Sequence, residues 1–135
     1  MTARALERFP IHLGLNAAAE PQPEFPNDER AMDWYAAYEQ RHAADGAEGR
    51  LVSMFRFTES WTSWERHPAG AEVVLCTSGS ITLIQEHPDG RVEQSVIGPG
   101  EYAINPAGVW HTADIVGEAT ALFITPGAGT EHRPR

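Results

Sequence analysis

From residue 50 to residue 126 the chain repeats one pattern. A short stretch alternates apolar and polar residues, and a cluster of glycine, proline or small polar residues follows it. Alternation of period two marks a strand with one buried face. The pattern predicts strands over 51–58, 60–67, 72–77, 80–86, 91–96, 101–104, 109–116 and 119–125. Between them stand turn-forming clusters, among them Pro68-Ala69-Gly70, Pro88-Asp89-Gly90, Gly98-Pro99-Gly100 and Pro106-Ala107-Gly108. Many short strands at this spacing predict an all-β sandwich or barrel. The turn at Pro68–Gly70 is expected to let its flanking strands pair and so to bring Glu72 close to His67.

The first 49 residues read differently. Pro10, Pro21, Pro23 and Pro26 forbid a helix through most of residues 1–26, leaving an extended arm with room for a short strand at Ile11–Leu15. Ala31, Trp34, Tyr35, Tyr38 and His42 then fall at helical spacing. With Asn27 or Asp28 as cap and Gly46 as stop, they predict a helix over about 28–44, packed outside the barrel or at a subunit contact. Residues 127–135 carry no period and read as a tail. The expected organisation is therefore an arm and helix over 1–49, a barrel over 50–126 and a tail over 127–135.

Composition narrows the chemistry. The chain has 135 residues, enough for one domain with one core, and a net charge of −9. That charge disfavours nucleic acid and anionic membrane surfaces as partners. All ten basic residues are arginine. The absence of lysine excludes a Schiff base and a P-loop. No apolar run is long enough for a membrane helix, no signal peptide is evident, and the single cysteine, Cys76, fits a reducing cytoplasm.

The candidate chemistry lies in two places. Glu65, His67 and Glu72 fall in one stretch, and His111 follows Pro106-Ala107-Gly108. Residues two apart on a strand face the same side, so Glu65 and His67 project together, as do Glu72, Val74 and Cys76. Glu65 has a plainer reading as a surface partner of Arg66 or Arg56. Trp61, Trp64 and Trp110 read first as packing, although with Phe57 and Tyr102 they would also suit the wall of an apolar pocket. Cys76 reads as a small buried side chain or as a thiol facing that pocket.

These residues carry a resemblance. Glu65-x-His67-x4-Glu72-x6-Gly79 is similar to the first cupin motif, with glutamate in place of its first histidine. Gly100-x5-Pro106-x-Gly108-x2-His111 is similar to the second, with Ile115 in place of its final asparagine. The resemblance implies a single-domain cupin jelly-roll β-barrel carrying the N-terminal arm and one short α-helix. It further implies one divalent metal ion (Fe, Mn, Ni or Zn) held by Glu65, His67, Glu72 and His111, with Glu65 as fourth ligand or general base. Phe57, Cys76, Tyr102 and Trp110 would form the substrate pocket. A cytoplasmic homodimer acting on a small organic molecule follows, by oxygenase, isomerase, lyase or decarboxylase chemistry. The alternative is a metal-free ligand-binding or regulatory cupin.

Overall fold

Two-residue periodicity yields strands wherever turn residues bound it, and the computed structural model, which describes residues 2–135, has eleven. In chain order they are β1 (Ile11–Leu13), β2 (Ala19–Pro21), β3 (Arg50–Phe57), β4 (Ser63–Arg66), β5 (Glu72–Ser78), β6 (Ile81–Glu86), β7 (Val92–Ile97), β8 (Tyr102–Asn105), β9 (Trp110–Ile115), β10 (Ala119–Thr125) and β11 (Glu131–Pro134). One helix, α1 (Ala31–Arg41), precedes β3. The strands form two antiparallel sheets, ordered β2-β1-β3-β10-β5-β8 and β11-β4-β9-β6-β7. The fold is all-β, as the alternation predicts, and a double-sheet jelly roll, as the resemblance implies.

Three expectations change. The Pro68–Gly70 turn does not close a hairpin. It carries the chain from β4 in the second sheet to β5 in the first, so the two strands face each other across the interior. The tail is not structureless, because β11 pairs antiparallel with β4 and places His132 opposite Glu65. The helix begins at Ala31 rather than near residue 28. There the Asp28 carboxylate accepts a hydrogen bond from the Arg30 backbone N–H at 2.9 Å and Asn27 adopts a φ of 52°, which holds these residues in a turn.

The inward faces of the two sheets divide the barrel in two. Val74, Cys76, Ile81, Leu83, Ala121 and Phe123 fill one end as a dry core. Gly79 closes that end at a φ of 73°; a side chain there would meet the Glu118 carbonyl oxygen at 2.2 Å. The other end holds a cavity of about 590 Å³. Helix α1 contributes Met32, Tyr35 and Tyr38 to its wall. Phe25 seats the helix by meeting Trp34, Tyr35 and Phe55 edge-on, with ring centroids 5.2, 5.5 and 5.3 Å away. Among the described residues, no helix is long and apolar enough to cross a membrane.

Candidate metal centre

Four side chains converge at the cavity floor. Glu65 comes from β4, Glu72 from β5 and His111 from β9, while His67 lies in the crossover just beyond β4. Glu65 and His111 are directly paired across β4 and β9. Each residue offers one donor atom, and these atoms all lie within 4.8 Å of one another. His67, Glu72 and His111 are buried, and Glu65 is the partly open member. Arg56 and Arg66 do not reach Glu65. They point outward and pair with Glu118 at 2.5 Å and Glu131 at 2.8 Å.

The hydrogen bonds around the cluster fix which atoms face its centre. Thr130 donates its hydroxyl proton to the Gly127 carbonyl at 2.9 Å, so its oxygen accepts from His67 Nδ1 at 2.8 Å. That assignment puts the neutral ring's proton on Nδ1 and leaves the Nε2 lone pair free. Among the described residues His67 Nε2 makes no hydrogen bond, though it is buried. It lies 3.2 Å from Glu72 Oε2 and 3.4 Å from Glu65 Oε1. His111 differs in one respect, since its Nε2 is within hydrogen-bond reach of Glu65 Oε1. Its Nδ1 faces the Val109 carbonyl at 3.4 Å, and its Nε2 lies 3.2 Å from Glu65 Oε1 and 3.3 Å from Glu72 Oε1.

Glu72 is held on both oxygens. Asn105 Nδ2 donates to Oε1 at 3.0 Å and Thr125 Oγ1 to Oε2 at 2.6 Å. Gln85 in turn donates to Asn105 Oδ1 at 2.8 Å, which orients the amide. Partners of this kind fix ligand orientation and are part of a metal site's construction.

The electrostatics follow from crowding acids and bases in a dry space. Burial alone would lift the Glu65 and Glu72 carboxyls, but the surrounding histidines outweigh it and hold both below the usual carboxylate range. Burial alone would lower His67 and His111, but Glu65 and Glu72 outweigh it and raise both to about 9. Two carboxylates and two imidazoles thus demand two positive charges at one point. Two protons supply them, and so does one divalent cation. Mixed nitrogen and oxygen donors, two Nε2 atoms turned toward the same carboxylates and a supporting hydrogen-bond shell all fit such a cation.

The expected pocket residues separate. Phe57 lines the cavity beside Trp61. Cys76 points inward but lies in the filled core, with its thiol on the Ser78 carbonyl at 3.3 Å. Tyr102 faces outward and is 63% exposed, because the inward positions of β8 are Ala103 and Asn105. Trp110 alternates with inward His111 and so stacks outside, under Arg66 and Arg133, each 4.6 Å from its ring centroid. In their place the structure brings in Thr125, Thr130 and His132, whose Nε2 lies 3.4 Å from Glu65 Oε2. Thr125 was legible, being in phase with inward Phe123. Thr130 and His132 lie in the segment read as tail.

No protein-family model matches the sequence, and no curated protein matches it either. Solved structures do match. Oxalate oxidase in complex with glycolate is similar at 18% identity over 61% of this chain and 45% of that chain, with a TM-score of 0.54. Hydroquinone 1,2-dioxygenase from Sphingomonas sp. TTNP3 with 4-hydroxybenzoate bound is similar at 19% identity over 56% of this chain and 58% of that chain, with a TM-score of 0.50. A cupin-2 domain protein from Shewanella frigidimarina aligns at 17% identity over 64% of this chain and 71% of that chain, with a TM-score of 0.48. The chain thus spans less than half of the oxalate oxidase chain it matches. The two sheets, their strand order and the similarities at TM-scores of 0.54 and 0.50 together give the chain a cupin-type fold.

Proposed function

We propose that this protein is a divalent-metal cupin enzyme acting on a small organic molecule. The observation that carries the reading is the buried His67 Nε2, which has no hydrogen-bond partner and faces two carboxylates while Thr130 holds the proton on the ring's other nitrogen. Glu65, His67, Glu72 and His111 would hold the ion. Iron, manganese, nickel or zinc suits these donors, and the ion would supply Lewis acidity or redox chemistry beside the substrate.

The lining narrows the substrate. No arginine is among the cavity-lining residues, whereas Glu39, Glu65 and Glu72 are. Phe55, Phe57, Trp61 and Phe123 give the wall four aromatic rings. Beyond the ion itself, a small dianion such as oxalate would meet acidic side chains and no arginine. A neutral aromatic molecule bearing a hydroxyl fits both the rings and the polar floor, and about 590 Å³ lies within the usual size of small-ligand sites. Oxygenase, isomerase, lyase and decarboxylase chemistry all remain within this reading. The second reading, a metal-free binding module, is favoured only by the ability of two protons to balance the same cluster.

Metal content decides between them. Protein purified without chelator should carry about one equivalent of metal, and the His67→Ala/His111→Ala protein should carry none. A wild-type chain that stays empty after incubation with each of the four metals overturns the reading. The expected cytoplasmic homodimer belongs to the same proposal, and sedimentation of the purified chain tests its assembly.

A further inference from the structure

A second group of titratable side chains lies behind α1, outside the candidate metal centre. His12, on β1, is 2% exposed. Its Nδ1 lies 2.6 Å from the Tyr38 hydroxyl, and its Nε2 lies 2.6 Å from Asp45 Oδ2. His42 stacks on the His12 ring at 3.7 Å with an interplanar angle of 18°. Gly14 and Gly49 wrap the group closely. A side-chain carbon at Gly14 would lie 2.7 Å from Asp45 Oδ2, and one at Gly49 would lie 2.9 Å from His12 Cε1.

This cluster is a poor metal site for a geometric reason. Imidazole lone pairs lie in the ring plane, and two near-parallel stacked rings aim theirs side by side instead of at one point. Both nitrogens of His12 are already occupied, and the two glycines leave no room for a coordination shell. A line of acid, imidazole and phenol is instead the arrangement in which a proton taken up at one end is stabilised at the other.

Tyr38 links this line to the cavity. It belongs to the wall of the 590 Å³ cavity and to that of a smaller hollow of about 260 Å³ containing His12 and His42. Asp45, at the other end, is 24% exposed and meets solvent. Since the Asp45 carboxylate accepts, the proton of neutral His12 sits on Nε2, and Nδ1 accepts from the Tyr38 hydroxyl.

We infer that Asp45, His12 and Tyr38 form a base relay that removes a proton from a hydroxyl of the substrate bound in the cavity. The inference rests on the proposed reading of that cavity as a site for a hydroxylated aromatic molecule. Tyr38 is the catalytic residue, and His12 and Asp45 position and charge-balance it. The substrate oxygen gives its proton to Tyr38 Oη as the Tyr38 proton passes to His12 Nδ1. The products are a substrate oxyanion, a neutral tyrosine and an imidazolium paired with the Asp45 carboxylate. No electrons are exchanged, and the proton leaves to water through the exposed Asp45 side. Burial, with Asp45 and Glu39 adding to it, raises the Tyr38 phenol above its ordinary range, so at rest it keeps its proton. The other charged or titratable groups around His12 are His42, Glu39 and Arg41 on or beside α1 and Glu20 on β2.

The test uses para-nitrophenol, whose ionised form is coloured, bound to the full-length protein in zinc-loaded and metal-free forms. The pH midpoint of the bound probe's ionisation is read from its absorbance. In Tyr38→Phe and Asp45→Asn that midpoint should rise by about one unit or more, a tenfold weaker ionisation. Metal content should not change, because neither residue touches the metal cluster. His12→Gln should do the same, and Tyr38→Phe alone suffices if His12→Gln does not fold. Midpoints equal to the wild type in variants that bind the probe overturn the relay. A wild type that takes up none of the four metals overturns the metal reading alone, since the metal-free titration still reports on the relay.

Discussion

Two buried histidine clusters lie on either side of α1, and they solve the same problem in opposite ways. At His12 both ring nitrogens have partners at 2.6 Å, and the imidazole is satisfied within the protein. At His67 one nitrogen is tied to Thr130 and the other faces two carboxylates with no hydrogen bond. A satisfied imidazole can pass a proton along its bonds. An imidazole held with one lone pair bare toward acids is arranged for a cation. The contrast lies in placement of hydrogen-bond partners, not in burial, since His12 and His67 are 2% and 4% exposed.

Removing ligands should break the contrast most severely. His111→Ala should lose metal outright by mass spectrometry, whereas His12→Gln should keep it. Retention of about one equivalent by His111→Ala would place the ion elsewhere. Phe123→Ala comes next, because this ring packs at the junction of core and cavity, with centroids 6.0 to 6.2 Å from Phe55, Phe57 and Trp61. It should cost about 3–5 kcal/mol in denaturant unfolding while sparing the ligands themselves.

Thr130→Val sharpens the contrast by freeing the His67 proton. Metal affinity should fall about 10- to 100-fold in a competition titration, and Thr130→Ser should restore most of it. An unchanged affinity would mean that Thr130 does not set the ring's proton.

The next effect is one of pH. In the metal-free protein His67 and His111 are raised from 6.5 to about 9. Their folded form binds protons more tightly than the unfolded chain does, so their stabilisation is complete below pH 6.5 and is lost as pH rises toward 9. The lowered Glu65 and Glu72 act in the other direction, stabilising above their ordinary 4.5 and less as acid is added. Thermal unfolding of chelator-treated protein should therefore weaken between pH 6.5 and 9, while metal-loaded protein should not. The smallest effect is Arg66→Ala, which removes an exposed stack on Trp110 and should cost about 1 kcal/mol or less with metal content intact.

The barrel was legible because its strands bury one face, and burial writes a period into the sequence. Strand β11 shows where that signal fails. Residues Thr130 to Arg133 contain no apolar residue. The segment is held at the sheet edge by ion pairs of Glu131 with Arg66, Arg133 with Glu86 and Arg135 with Asp114. A strand fastened by charges leaves no hydrophobic pattern, so Thr130 and His132 were invisible beside the cluster. The four ligand-type residues were found because their spacing resembles two cupin motifs. Tyr102 and Trp110 were misplaced although alternation alone excluded them. Each is one residue from an inward position, Ala103 in one case and His111 in the other. Tyr38 looked like ordinary helix packing, since only the docking of α1 brings its hydroxyl to His12.

The crossover at Pro68–Gly70 has a mechanical consequence. Glu65 and His111 belong to one sheet and Glu72 to the other, so an ion bound to all three would rivet the sheets together at the cavity end. At the opposite end Val74, Ile81 and Leu83 already clamp them. Without the ion, the sheets are joined at the cavity end by the Gln85–Asn105 hydrogen bond and the His111–Glu72 pair, so that end depends on polar contacts where the other depends on packing.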